Sequence, residues 1–140
     1  MTSFEPVPDL PRVRRIVTGH TEEGSAIFEH DEDLIPVNPI PKGAGVALSA
    51  GFTLIHRSQD YPVQIQGGLD ELKVENLYRS KGCGIVCEVV DFPPQRKEAP
   101  IYMHRNQSLD YLVILKGTIN AVLDGGVEKT LREGDVMVQK

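Results

Sequence analysis

Apolar positions cluster into short runs between glycines and prolines. Over residues 111–115 (YLVIL) the run is unbroken, residues 118–123 (TINAVL) form a second, residues 127–131 a weaker third and residues 136–138 (VMV) a fourth. Gly-containing breaks at Lys116-Gly117, Asp124-Gly125-Gly126 and Glu133-Gly134-Asp135 separate them, the punctuation of consecutive strands in a β-meander or a piece of a small barrel. Asp124-Gly125 reads as the tip of a tight primed hairpin, because glycine enters positive φ with little steric cost. Upstream, residues 13–18 and 25–29 alternate well enough to form a hairpin across the turn-like GHTEEG, and the acidic EHDED that follows reads as a solvated loop. Residues 46–56 and 63–66 read as strands, with Gly51 as a site of interruption, and residues 85–92 (IVCEVVDF) as a strand closed by Pro93-Pro94. Only residues 69–80 (LDELKVENLYRS) show helical spacing. Pro6, Pro8 and Pro11 predict an extended N-terminal arm, since proline fixes φ and removes a donor. The pattern is all-β.

Several function classes drop out on composition. The 140 residues suit one domain with one core. Lys plus Arg number 15 against 20 Asp plus Glu, and the net charge of -5 argues against a nucleic-acid backbone as partner. No run approaches the roughly 20 apolar residues of a membrane helix, and the acidic, Pro-rich start is unlike a secretory signal, so no membrane partner and a cytoplasmic location are expected. Cys83 and Cys87 would share one face of a strand about 13 Å apart, beyond disulfide reach, which fits a reducing compartment. No phosphate-cradling glycine loop, nucleophile elbow or paired CxxC is present. Strand 85–92 is apolar on successive residues and calls for cover on both faces; a second copy of the chain, giving a homodimer, would supply it.

The ionisable residues at the head of the 111–140 region carry a resemblance. His104, Asp110 and Gly117, followed by Gly134-Asp135 and an apolar pair, resemble the two motifs of the cupin superfamily. MHRNQSLDY, the LDGG turn, REGDVMVQ and the upstream RRIVTGH and DFPP resemble fungal cupin-domain oxidoreductases of salicylaldehyde-type polyketide clusters, over roughly the whole chain. The resemblance implies a cupin-like double-stranded β-helix, a small jelly-roll barrel. Residues 1–84 would supply the arm, the hairpin and the first part of the barrel, and residues 85–140 the cupin-like core of a single domain.

It also implies a site, with departures. Tyr102 stands where the family's first histidine would be, His104 is kept, and Asp110 replaces a glutamate one residue late. The second motif would need residues beyond Lys140 to reach its histidine, so the barrel is expected to be incomplete at the C-terminus. That leaves no metal ligand set assigned, and Fe or Zn only if a third ligand is supplied.

His104, Asp110 and Tyr102 are the candidate catalytic residues. A bland alternative makes His104 a loop histidine and Asp110 a strand-capping aspartate. Arg105, whose planar fork suits a carboxylate or phenolate, is a candidate substrate-binding residue. His56 is another, because HRSQDYPVQIQGG loosely echoes HRNQSLDYLVILKGT, pairing His56 with His104 and Asp60 with Asp110.

The function implied is an oxidoreductase-type step on an aromatic, salicylaldehyde-like polyketide intermediate in fungal secondary metabolism, with that small molecule as partner. No dinucleotide fingerprint is present, so redox chemistry would draw on a metal with dioxygen or on a borrowed cofactor. Whether the chain is an enzyme stays open against two alternatives. One is a metal-free pocket acting as isomerase, cyclase or carrier. The other is an inactive, truncated paralogue.

Overall fold

The structure, a computed structural model, describes residues 5–39, 50–58, 62–63, 65, 84–94 and 103–140. Among these there are ten strands and no helix, which meets the all-β expectation: β1 (Glu5–Pro6), β2 (Val13–His20), β3 (Ala26–Leu34), β4 (Val37–Asn38), β5 (Gly51–Ser58), β6 (Ile85–Asp91), β7 (Asp110–Val113), β8 (Thr118–Val122), β9 (Glu128–Arg132) and β10 (Val136–Gln139). Every pairing among the described residues is antiparallel, consistent with the cupin-like fold that the resemblance implies. The helix expected over residues 69–80 lies outside the described residues, as does Tyr102. The chain divides into two compact units, Met1–Ala99 and Pro100–Lys140.

In the first unit the strands β1-β4-β5-β6 form one sheet and β2-β3 a hairpin. The N-terminal arm is extended, as its prolines require, and β1 pairs with β4 through Glu5↔Asn38 and Pro6↔Val37. Leu10 then reaches Gly51. β5 begins at Gly51, with residues 46–49 outside the described residues, and a Cβ on Gly51 would overlap the Leu10 side chain and touch Pro36, so this glycine marks a close approach of the arm. Ala50, Leu54, Pro36, Thr53 and Arg15 are buried here. By contrast, Ile85 and Val86 of β6 are 51% and 39% exposed.

The acidic run expected to be a loop is instead the second half of β3. Charge across the hairpin explains it. The register sets Arg14 opposite Asp33 and Arg15 opposite Glu32, and Arg14 also grips Asp31 with two hydrogen bonds of 2.7 Å. Three consecutive acids repel one another on an isolated strand; opposite two arginines they become favourable cross-strand pairs. The Arg14 hydrogen bond, rather than simple charge attraction, is the main reason the exposed Asp31 carboxyl is held below its ordinary range. A carboxyl depressed in the folded state contributes stability that is present above its unfolded value and lost as pH falls through the folded one. The stability difference between the parent and Arg14→Gln, measured by urea unfolding across an acid series, is therefore expected at neutral pH and to vanish once Asp31 is protonated in both states.

The second unit follows the sequence closely. β7 to β10 coincide with the four apolar runs to within a residue or two. Their pairing is not that of a meander: β7 pairs with β10 and β8 with β9, one hairpin nested in another. Backbone bonds from Ile114 to Asp135 and from Gly134 to Ile114 continue the outer ladder toward the inner one. Val113 is opposite Val136 while Thr118 is opposite Arg132, so the register slips by one residue between the ladders. Gly117 and Gly134, at φ 83° and 86°, take up the bend on each side. A long hairpin bent over in this way is an element of a jelly roll.

The inner hairpin turns where expected, but by a different mechanism. The Gly126 amide donates to the Leu123 carbonyl at 2.8 Å and the Leu123 amide to the Val127 carbonyl at 2.9 Å, and the positive φ, 76°, belongs to Gly126 rather than Gly125. This is a three-residue loop, a type I turn followed by a left-handed glycine. Gly126→Ala is expected to lower unfolding free energy by about 1–2 kcal/mol, the cost of a left-handed alanine. Gly125→Ala, outside the left-handed region and with open space beside it, should change the melting temperature little.

Candidate functional site

Met103, His104 and Arg105 lie in the irregular segment that leads into β7, all exposed. Asp110 opens β7, half-buried, directly opposite Gln139 of β10. Strand alternation then sorts the ladder into two faces. Asp110, Leu112, Met137 and Gln139 share one; Tyr111, Val113, Val136 and Val138 share the other, with Tyr111 71% and Val136 61% exposed. Asp110 therefore sits among Leu112 and Met137, an apolar setting with one amide beside it. A carboxyl there is placed to accept hydrogen bonds from a ligand lying on that face.

Arg105 has a partner that no local pattern foretells. Its guanidinium donates to Asp124 at 3.0 Å, joining the His104–Arg105 segment to the β8–β9 turn. Asp124 thus has a side-chain role beyond the turn. Both groups are strongly exposed, so the pair is a weak tether, worth at most about 1 kcal/mol. The two residues are 19 apart in the chain, and only the folding back of the hairpin brings them together.

His56 belongs to the first unit, exposed on β5. β5 carries a bulge: Leu54 pairs with Glu88 and His56 with Cys87, leaving Ile55 unpaired. Along β6, Ile85, Cys87, Val89 and Asp91 alternate onto one face, so Thr53, opposite Val89, and His56, opposite Cys87, share it. Thr53 is 2% exposed and its hydroxyl has no hydrogen-bond partner among the described residues. Cys87 is a free, exposed thiol. Arg15 of β2, whose side chain is 1% exposed, reaches the bulge from outside the sheet. Its Nε donates to the Ile55 carbonyl at 2.6 Å and its other arm to Glu32 at 2.8 Å. Nothing in the sequence marks this arginine as buried, because it stands beside Arg14 in a strand of ordinary alternation.

Among the described residues, no three His, Cys, Asp or Glu side chains come together as a metal site would need. His104 and Asp110 alone do not fit a catalytic Zn or Fe centre, which takes three protein ligands. No helix among the described residues is long and apolar enough to cross a membrane.

No family model matches the chain. It is 33% identical, over 99% of its length, to the cupin-domain-containing oxidoreductase fogC of Aspergillus ruber, and 32% identical, over 96%, to the cupin-domain-containing oxidoreductase virC of Hypocrea virens. It spans 66% of the length of each of these two relatives. Phomopsin biosynthesis cluster protein D of Diaporthe leptostromiformis is 30% identical over 95% of the chain, which covers 69% of that relative. The nested antiparallel strands and the His104–Asp110 motif sit within matches that cover 95–99% of this chain, and the chain belongs to the family of cupin-domain proteins that fungi encode in biosynthetic clusters.

Proposed function

We propose that the chain serves an oxidoreductase-type step of secondary metabolism, on an aromatic, salicylaldehyde-like polyketide intermediate. The observation that carries this reading is the 33% identity to a relative named a cupin-domain-containing oxidoreductase, along almost all of the chain. In this reading His104, Asp110 and Tyr102 act on the substrate and Arg105 binds it, all in the second unit, while His56 is a separate candidate substrate-binding residue of the first. The Asp110 carboxyl would hold a proton or accept one from a phenol, and the His104 imidazole can donate or accept one. Arg105, anchored at one edge by Asp124, would offer its remaining donors to a phenolate or carboxylate.

A second reading, a pocket that isomerises, cyclises or carries an intermediate, is favoured by a different observation. The Diaporthe relative and the oryzines biosynthesis cluster protein J of Aspergillus oryzae are named for clusters and not for a redox reaction. One experiment separates the two. The purified chain is incubated with salicylaldehyde-type compounds and a fungal extract as the source of redox partner, and the products are resolved by mass spectrometry. Gain or loss of a hydrogen pair that depends on the chain supports the oxidoreductase. A product of unchanged mass, or a compound bound and returned intact, supports the second reading.

A further inference from the structure

The Ile55 bulge decides which way His56 faces. On a regular β5, Thr53, Ile55 and Arg57 would share one face and His56 would fall on the other; Ile55 would then oppose Cys87, and His56 would oppose Val86. With Ile55 unpaired, His56 moves opposite Cys87 and joins Thr53 on its face. Bulges re-aim side chains in this manner and recur beside functional sites. This one is tied to a specific external partner. The Ile55 carbonyl accepts the Nε of the buried Arg15, whose second arm is held by Glu32 from the opposite strand of the hairpin. On the same face, Thr53 carries a buried hydroxyl lacking a partner among the described residues.

We infer that Arg15 is a positioning residue: through the Ile55 carbonyl it stabilises the bulge that turns His56 onto the Thr53–Cys87 face, where a small ligand carrying a hydrogen-bonding oxygen is received. The part played by the ligand rests on the proposed role of His56 as a substrate-binding residue. The part played by Arg15 rests on geometry alone. Lysine cannot replace it, because a single ammonium lacks the planar fork that serves Ile55 and Glu32 together.

Cysteine cross-linking reads the register directly. In the full chain with Cys83→Ser, Cys87 is the only native thiol, and residues directly opposite across an antiparallel ladder are close enough for many such pairs to bridge. His56→Cys is expected to cross-link to Cys87 on mild oxidation, and Ile55→Cys is not. Adding Arg15→Lys should shift the ratio of the two yields toward Ile55→Cys by roughly ten- to hundredfold, as loss of a charge-assisted hydrogen bond implies. Adding Glu32→Gln, which leaves the Ile55 bond in place, should shift it much less.

A folded Arg15→Lys chain with an unchanged ratio overturns the inference, as does an equal shift from Glu32→Gln. Loss of the cooperative melt in both Arg15→Lys and Arg15→Met would make Arg15 a determinant of the whole sheet and also overturn its positioning role. Ligand contact is read separately, by titrating salicylaldehyde into the parent and into His56→Ala. Equal affinity contradicts the binding role of His56, while the cross-linking ratio still decides that of Arg15.

Discussion

Replacing Arg15 with methionine is expected to lower the unfolding free energy by about 3 kcal/mol, more than the loss expected at the Gly126 turn or at the exposed Arg14 pair. The methionine stem keeps much of the packing around a side chain that is 1% exposed, so the loss comes mainly from polar groups. The Ile55 carbonyl loses its donor, and Glu32 loses a charge-assisted bond of 2.8 Å. Glu32 is 43% exposed and can turn to water, which keeps the loss below the upper range for a fully buried pair. Urea unfolding of the parent, Arg15→Met and Arg14→Met measures it. The Arg14 variant, which removes only an exposed pair, should lose far less. A smaller loss at Arg15 than at Arg14 would show that burial does not set the importance of these two neighbours.

Asp110→Asn is expected to reduce formation of the pathway product by roughly a hundredfold, the scale of losing a positioned acid or base. Asparagine keeps the size and can still pair beside Gln139, so the fold should survive and the melting temperature should move little. Asp124→Asn is the comparison. It suits the turn equally well and loses only an exposed pair with Arg105, so its effect should stay within about threefold. Equal losses in the two variants would remove Asp110 from the site and leave it a strand-capping residue.

Local chemistry decides what is legible in the amino-acid sequence. The four C-terminal strands and their Gly-containing breaks follow from apolar runs and left-handed glycines, and Gly117 and Gly134 sit in positive φ within the expected breaks. Distant partners decide the rest. EHDED reads as a solvated loop until Arg14 and Arg15 are set across from it. The place of Gly51 has no local explanation until Leu10 is seen to need its missing side chain. The bulge at Ile55 has no local signal, and the arginine that bonds its carbonyl stands on another strand. Nested and sequential pairing of β7 to β10 bury similar residues, so the apolar pattern alone does not choose between them. The same holds for the candidate site. Its residues are visible as types, while the tether of Arg105 to Asp124 and the facing of His56 emerge only with the fold.

The proposed function turns on one interaction, an aromatic aldehyde received by this cupin-domain chain at His104 and Asp110. A nitrogen-15 NMR titration of the chain with salicylaldehyde reads it residue by residue. Saturable shifts are expected on the amides of His104, Arg105 and residues 110–112, with the amide of Gln139, opposite Asp110, moving with them. Saturable binding that shifts other residues and leaves His104 and Asp110 unmoved, or no saturable shift at concentrations that saturate a control aldehyde-binding protein, would contradict it.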